Sequence, residues 1–234
     1  MPSVDKITGQ VIIVSNTPDF VVVNKPSGLS VHDDDKDGGG LLKAVAELTG
    51  VDKLLPVHRL DKMTSGLIVM AKHPEANRLL ADQFAQRQVE KYYLAISASK
   101  PRKKQGLIAG DMTKARRGAW KLLPSKNNPA QTQFFSYGLG DGLRLFLLRP
   151  RTGKTHQIRV ALKSLGSAIL GDSLYAGDSA DRGYLHAYGL CFDWQGERLR
   201  FLVKANQGEV FQRQQVTDQL EEIGMPWELK WPKL

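Results

Sequence analysis

Residues 58–72 read HRLDKMTSGLIVMAK, a charged turn that runs directly into an apolar strand. The run GLIVMA at 66–71 is short, continuous and bounded by turn-forming residues, which predicts a buried strand with Thr64 and Ser65 leading into it. The turn before it carries His58, Arg59, Asp61 and Lys62, so a carboxylate stands where a loop enters a buried sheet. Taken as four residues alone, an arginine two positions from an aspartate is an ordinary surface pair of little energetic worth.

Working outward, residues 11–14 and 20–23 are β-branched or aromatic runs separated by SNTPD, the pattern of an N-terminal hairpin. A loop follows through Gly28, the acidic stretch 32–37 and three glycines, and then 41–48 predicts a short helix. Beyond the central strand, Ala76, Leu79, Leu80, Phe84 and Val89 recur near the helical period, and KYYLAISA at 91–98 reads as a strand. Residues 131–137 and 143–148 predict two strands joined by the glycine-rich GLGDG. After Gly153 a helix is expected with Ile158, Ala161, Leu162 and Leu165 on one side and Gly166 as its cap. At about 100° per residue, His156, Arg159 and Lys163 fall within about 60° of one another on the opposite, cationic side. A strand at 200–205 and a helix through Val216, Leu220 and Ile223 complete an α+β pattern without regular βαβ alternation.

The 234 residues are 41% hydrophobic and 24% charged, with no apolar run long enough to span a bilayer, which describes one globular domain over 1–234. The lone cysteine, Cys191, has no internal disulfide partner, and the opening MPSVDKITGQ has no leader character, so a cytoplasmic location is expected. The formal charge is +9, and the stretch 100–126 accounts for nearly all of it, with nine basic residues against the single acid Asp111. Trp120 and the glycines at 106, 110 and 118 interrupt that basic insertion or loop. Flexible backbone, an aromatic ring and cations without an amphipathic period suit a nucleic-acid strand with unstacked bases better than a membrane.

Several apparent motifs fail on their own chemistry. Asp33, Asp35, Asp37 and Gly38 open like a calcium loop, but the position that needs a bidentate glutamate is Ala44. Gly153, Lys154 and Thr155 end like a phosphate-binding loop whose first glycine would be Leu148. The histidines at 32, 58, 73, 156 and 186 have no metal-ligand spacing, and no GxSxG elbow is present, so neither a metal site nor a serine hydrolase is expected.

Read as a whole, 58–72 resembles the signature of the RluA-type family of RNA pseudouridine synthases, whose motif aspartate is catalytic. Three further segments resemble the same family in order and spacing: FVVVNKPSGLSVH at 20–32, KYYLA at 91–95, and RTGKTHQIRVALKSLGSAILGDSLYA from Arg151, followed by Leu185, His186 and Ala187. The resemblance spans about residues 11–205. It implies a mixed, largely antiparallel central sheet with flanking helices and a catalytic cleft, and the conversion of uridine in tRNA or rRNA to pseudouridine without a cofactor. It assigns Asp61 as the catalytic carboxylate, Tyr93 as the ring that stacks on the target base, Arg159 as a partner of Asp61 and Ile158 as a wall of the pocket. Arg59 is the candidate to enter the RNA stack as the uridine leaves it. His58, His156, Lys91, Lys114, Arg116 and Arg117 are expected to contact RNA.

These residue types suit the reaction. The bond from uracil N1 to ribose C1′ must break, the base must turn, and C5 must bond to C1′. An ionised carboxylate can attack sugar or base or remove a proton, and a neighbouring arginine favours its charged form. Extracting a base costs about a few kcal/mol, and stacking on an aromatic returns roughly 1 to 3 kcal/mol. Strand alternation leaves Tyr92 and Tyr93 equivalent, and only the family pattern selects Tyr93. The chain departs from that pattern at Ala161, where histidine is common, and at Gly166, Ser167 and Ala168, where Gly-His-Pro is common. No accessory N-terminal RNA-binding domain and no obligate protein partner are expected. A non-enzymatic RNA-binding or RNA-folding protein on the same scaffold is the alternative, and a hydrolase using Asp61 and His58 is a second rival.

Overall fold

The computed structural model describes residues 10–32 and 40–234. The acidic stretch with Asp33, Asp35 and Asp37, and the rejected calcium loop in it, lie outside the described residues. The chain divides into two compact units, Met1–Glu90 with Ala187–Lys204, and Lys91–His186 with Ala205–Leu234.

In the first unit, strands β1 (Ile12–Asn16) and β2 (Phe20–Lys25) form the expected antiparallel hairpin, and β2 pairs antiparallel with β4 (Ser65–Ala71). The short β3 (Leu55–Pro56) adds to β4. The order runs β1-β2-β4-β11, where β11 is Leu185–Trp194 and pairs antiparallel with β12 (Glu197–Leu202). All seven residues of β4 are buried, so both faces of the strand are covered, which is why its sequence is an unbroken apolar run. Phe20, Val22, Leu67, Val69, Leu190 and Phe192 form the core with Ala76 and Leu80 of helix α2 (Pro74–Ala85). Helix α1 (Leu41–Thr49) matches the expected helix. Helix α2 is capped by His73, whose Nδ1 accepts from the Ala76 amide while its Nε2 meets Asp19 at 3.0 Å. The periodicity was too generous here. Leu79 is exposed, and Val89 lies beyond the helix end, after a turn in which Arg87 adopts a φ of 60°.

In the second unit the order is β5 (Glu90–Ser97), β10 (Leu143–Pro150), β9 (Ala130–Gly140) and β6 (Gln105–Gly110), all antiparallel neighbours. The basic stretch contains β6 and a separate two-stranded hairpin, β7 (Met112–Lys114) with β8 (Trp120–Leu122), whose tip is a 3-10 turn at Arg116–Gly118. Helix α3 (Gln157–Ser164) begins later than expected, and helix α4 (Gln214–Ile223) buries Val216, Leu220 and Ile223 as its spacing requires. The strand expected at 200–205 is β12 and ends at Leu202.

Strand pairing is mixed and largely antiparallel, with four α-helices among the described residues, as the α+β reading expects. No described helix is long and apolar enough to cross a membrane.

Candidate active site

In the first unit, the Thr64 amide donates to the Asp61 carbonyl at 2.9 Å, closing a tight turn over Lys62 and Met63. The Lys-Pro-Ser-Gly segment holds that turn. Lys25 has no exposed surface, and its ammonium donates to the carbonyls of Pro26 at 2.9 Å, Leu29 at 2.7 Å and Lys62 at 3.3 Å. The Gly28 amide adds a bond to the Lys62 carbonyl at 2.8 Å, and the Ser27 hydroxyl one to Met63 at 2.7 Å. A buried ammonium is tolerated because oxygens surround it, and its cost if unpaired is what makes the arrangement specific. Gly66, just beyond the turn, has a φ of 108°, and a Cβ there would meet the Ala187 carbonyl at 2.3 Å. Asp61 is thus carried on a rigid turn, half-buried, with Leu60 tucked in beside it.

Arg59, the candidate to enter the RNA stack, is exposed. His58, expected among the RNA contacts, is placed as an anchor. Its Nε2 accepts from the Val69 amide at 3.2 Å and its ring stacks on Phe84 at 4.4 Å, tying the turn to β4 and α2.

In the second unit, the two adjacent tyrosines have different surroundings. Tyr92 faces Trp227 and Trp231 of the C-terminal segment, with the Arg149 guanidinium 5.6 Å from its ring centroid. Alternation therefore turns Tyr93, which keeps a small exposed area, to the opposite face, together with Lys91. Burial holds the Lys91 ammonium below the usual lysine range.

Helix α3 is locked to the sheet through Gln157. Its carbonyl oxygen accepts from the Thr152 hydroxyl at 2.6 Å and the Lys154 amide at 3.1 Å. Its amide group donates to the Gln131 carbonyl at 3.0 Å and to the Thr132 hydroxyl at 2.9 Å. This network delays the helix start and leaves His156 as its N-cap in the left-handed region, a strained conformation for a non-glycine residue. The cationic face is divided, with Lys163 exposed and Arg159 covered. Arg159 is buried, and its Nε and Nη2 donate to Asp172 at 2.7 and 2.8 Å. Its guanidinium carbon lies 4.9 Å from the Tyr175 ring centroid. Asp172 and Tyr175 were visible in the GDSLY segment, but their pairing with Arg159 was not read from it. Gly171 is required there, because a Cβ at its φ of 78° would meet the Arg182 carbonyl at 1.8 Å. Ile158 is buried beside Arg159, and Lys163 is exposed. Lys114, Arg116 and Arg117 are exposed on the hairpin.

A carboxylate on an immobilised turn, and a clamped arginine in the unit that bears a cationic hairpin, equip an enzyme that handles a polyanion. The chain belongs to the RNA pseudouridylate synthase family, whose model matches residues 19–164. An uncharacterized RNA pseudouridine synthase of Haemophilus influenzae is 46% identical over 214 residues, 91% of this chain and 95% of that protein. Ribosomal large subunit pseudouridine synthase C of Rickettsia bellii is 36% identical over 179 residues, 74% of this chain and 59% of that protein. Among solved structures, human RNA pseudouridylate synthase domain containing 1 superposes with a TM-score of 0.70 at 26% identity, covering 84% of each chain. Human RNA pseudouridylate synthase domain containing 4 gives 0.68 at 26% identity over 89% of this chain and 92% of that one. The chain is therefore an isomerase that makes pseudouridine in RNA, and the readings as a non-enzymatic RNA-binding protein or a hydrolase fall away.

Proposed function

We propose that the enzyme isomerises uridine in structured cytoplasmic RNA, with Asp61 as the reacting carboxylate and Tyr93 and Arg159 as the other members of the catalytic set. The observation that carries this reading is the immobilisation of the Asp61 turn by a fully buried lysine with three carbonyl acceptors. Burying a cation to hold a surface turn is explained by the need to fix the carboxylate. The target nucleotide leaves the stack, the N1 to C1′ bond breaks, the base turns, C5 bonds to C1′, and the C5 proton is lost while N1 gains one. Tyr93, on the strand face opposite the C-terminal tryptophans and with a small exposed area, offers a stacking surface to the flipped base. The clamp from Asp172 pre-orients Arg159, so its cation does not have to be ordered during the reaction. Exposed Lys114, Arg116 and Arg117 supply phosphate contacts.

The relative named for the ribosomal large subunit favours rRNA over tRNA as the substrate. The test uses unmodified rRNA and tRNA transcripts tritiated at uridine C5, incubated with the protein and with Asp61→Asn. Label release to water by the wild type alone, from the large-subunit transcript, is expected. Release by both proteins overturns the role of Asp61, and release only from tRNA overturns the substrate preference.

A further inference from the structure

The β7–β8 hairpin stands apart from the main strand ladder, yet it is held in place at two points. At its base, Asp111 accepts from the amides of Asn127 at 3.0 Å and Asn128 at 2.8 Å, and its backbone pairs with Leu123 and Ser125. The Ser125 hydroxyl, those amides and nearby Lys154 hold the Asp111 carboxyl below the ordinary carboxylate range. The neck is therefore closed by a charged acceptor. The second point is at β8, where the Trp120 amide donates to the Tyr175 hydroxyl at 2.9 Å.

Tyr175 is buried and touches three things at once. Its hydroxyl takes the Trp120 amide and meets His156 Nδ1 at 2.9 Å, and its ring faces the Arg159 guanidinium. A phenol oxygen that accepts from an amide still has a proton to give, which an unprotonated Nδ1 receives. The hairpin backbone, the strained cap of α3 and the arginine therefore meet on one side chain. Beyond that junction the hairpin presents Lys114, Arg116, Arg117 and Lys121 to solvent, four cations with no acid between residues 112 and 122.

We propose that Tyr175 is a positioning residue that couples an RNA phosphate backbone held on the β7–β8 hairpin to the placement of Arg159. The inference deepens the proposed function and rests on its assignment of Arg159 to the reacting set. Phosphates bound by the hairpin cations load the hairpin, and Tyr175, whose hydroxyl takes the Trp120 amide and whose ring faces Arg159, transmits that load. RNA engagement and arginine placement become one event, so an RNA that fails to reach the hairpin leaves the arginine less well placed.

The experiment compares wild type with Tyr175→Phe, which keeps the ring over Arg159 and deletes the hydroxyl. Measurements are RNA affinity, the single-turnover rate at saturating RNA, and hydrogen exchange at the Trp120 amide. Expected are affinity within about twofold, loss of Trp120 protection, and a rate lowered roughly tenfold, the effect of one lost hydrogen bond with partners left unsatisfied. An unchanged rate with Trp120 protection lost overturns the proposal. Equal losses in rate, affinity and thermal stability show a merely structural role and also overturn it. If Tyr175→Phe does not fold, wild-type exchange decides. RNA should protect the Trp120 amide and residues 171–176 together, and protection of the hairpin alone refutes coupling. Unchanged single-turnover activity in Arg159→Lys would refute the assignment of Arg159 to the reacting set, while Trp120 exchange in wild type with RNA still reports the coupling, so the two failures are distinguishable.

Discussion

Replacing Asp172 by asparagine isolates the energetics of the arginine clamp. The pair is two-pronged, and the side chains of Arg159 and Asp172 are only 8% and 1% exposed. Removing one partner of such a pair leaves an uncompensated buried charge, at about 3 to 5 kcal/mol. Asparagine keeps one acceptor oxygen, and the Tyr175 ring at 4.9 Å retains about 1 to 2 kcal/mol of cation–π attraction. The expected loss for Asp172→Asn is therefore about 3 kcal/mol, the lower end of the range. Arg159→Met strands the carboxylate and should cost about 3 to 5 kcal/mol. The double variant removes both charges and should cost less than either sum would give, with a coupling of at least about 2 kcal/mol. Urea unfolding followed by tryptophan fluorescence, with slopes checked for constancy, measures all three. Additive losses, or an Asp172→Asn cost below about 1 kcal/mol, would show that the pair is screened or replaceable and would refute the clamp.

Lys25→Met removes the ammonium donated to the Pro26 and Leu29 carbonyls, while the Lys62 carbonyl keeps the Gly28 amide, and should cost about 3 kcal/mol, with turnover falling at least roughly tenfold and RNA affinity unchanged. Intact turnover would break the link between Lys25 and Asp61. Gly66→Ala forces a Cβ against the Ala187 carbonyl at a φ of 108°, and thermal unfolding should show a loss above about 3 kcal/mol or insoluble protein. Arg116→Gln with Arg117→Gln should reduce the slope of log Kd against log salt by about 1.4 to 1.8, the value for two phosphate contacts, and an unchanged slope removes the hairpin from the interface. Burial lowers the Lys91 pKa, so the unfolded state binds its proton more tightly and this residue's contribution to stability rises with pH toward 10.5. The stability of wild type relative to Lys91→Met should accordingly rise as pH increases toward 10.5, as denaturation at several pH values will show.

How much could be read without tertiary structure differs from residue to residue. The strand at 66–71 was legible because burial on both faces leaves no polar position to mask it. Helix α4 was legible from three apolar residues at helical spacing. The extent of α2 was not, because periodicity reports a shared direction and not the turn at Arg87 that ends the helix. The choice of Tyr93 over Tyr92 rests on a family pattern, and the pair of tryptophans that packs on Tyr92 comes from the far end of the chain, where no local spacing announces it. The bond from the Val69 amide to His58 and its stack on Phe84 had no local signal, because both partners lie at least eleven residues away in the chain.

The local record of the chain settled its class, its hairpins and most helices, the concentration of charge at 100–126 and the identity of the motif aspartate, because each depends on residues near one another in sequence. Helical spacing put Arg159 on one side of α3 but could not say what would cover that side. Folding alone brought Asp172 and Tyr175 over it, joined the basic hairpin to the same tyrosine, and set a buried ammonium beneath the Asp61 turn. Those contacts join segments separated in the chain, and their energy comes from the desolvation that only a completed fold provides.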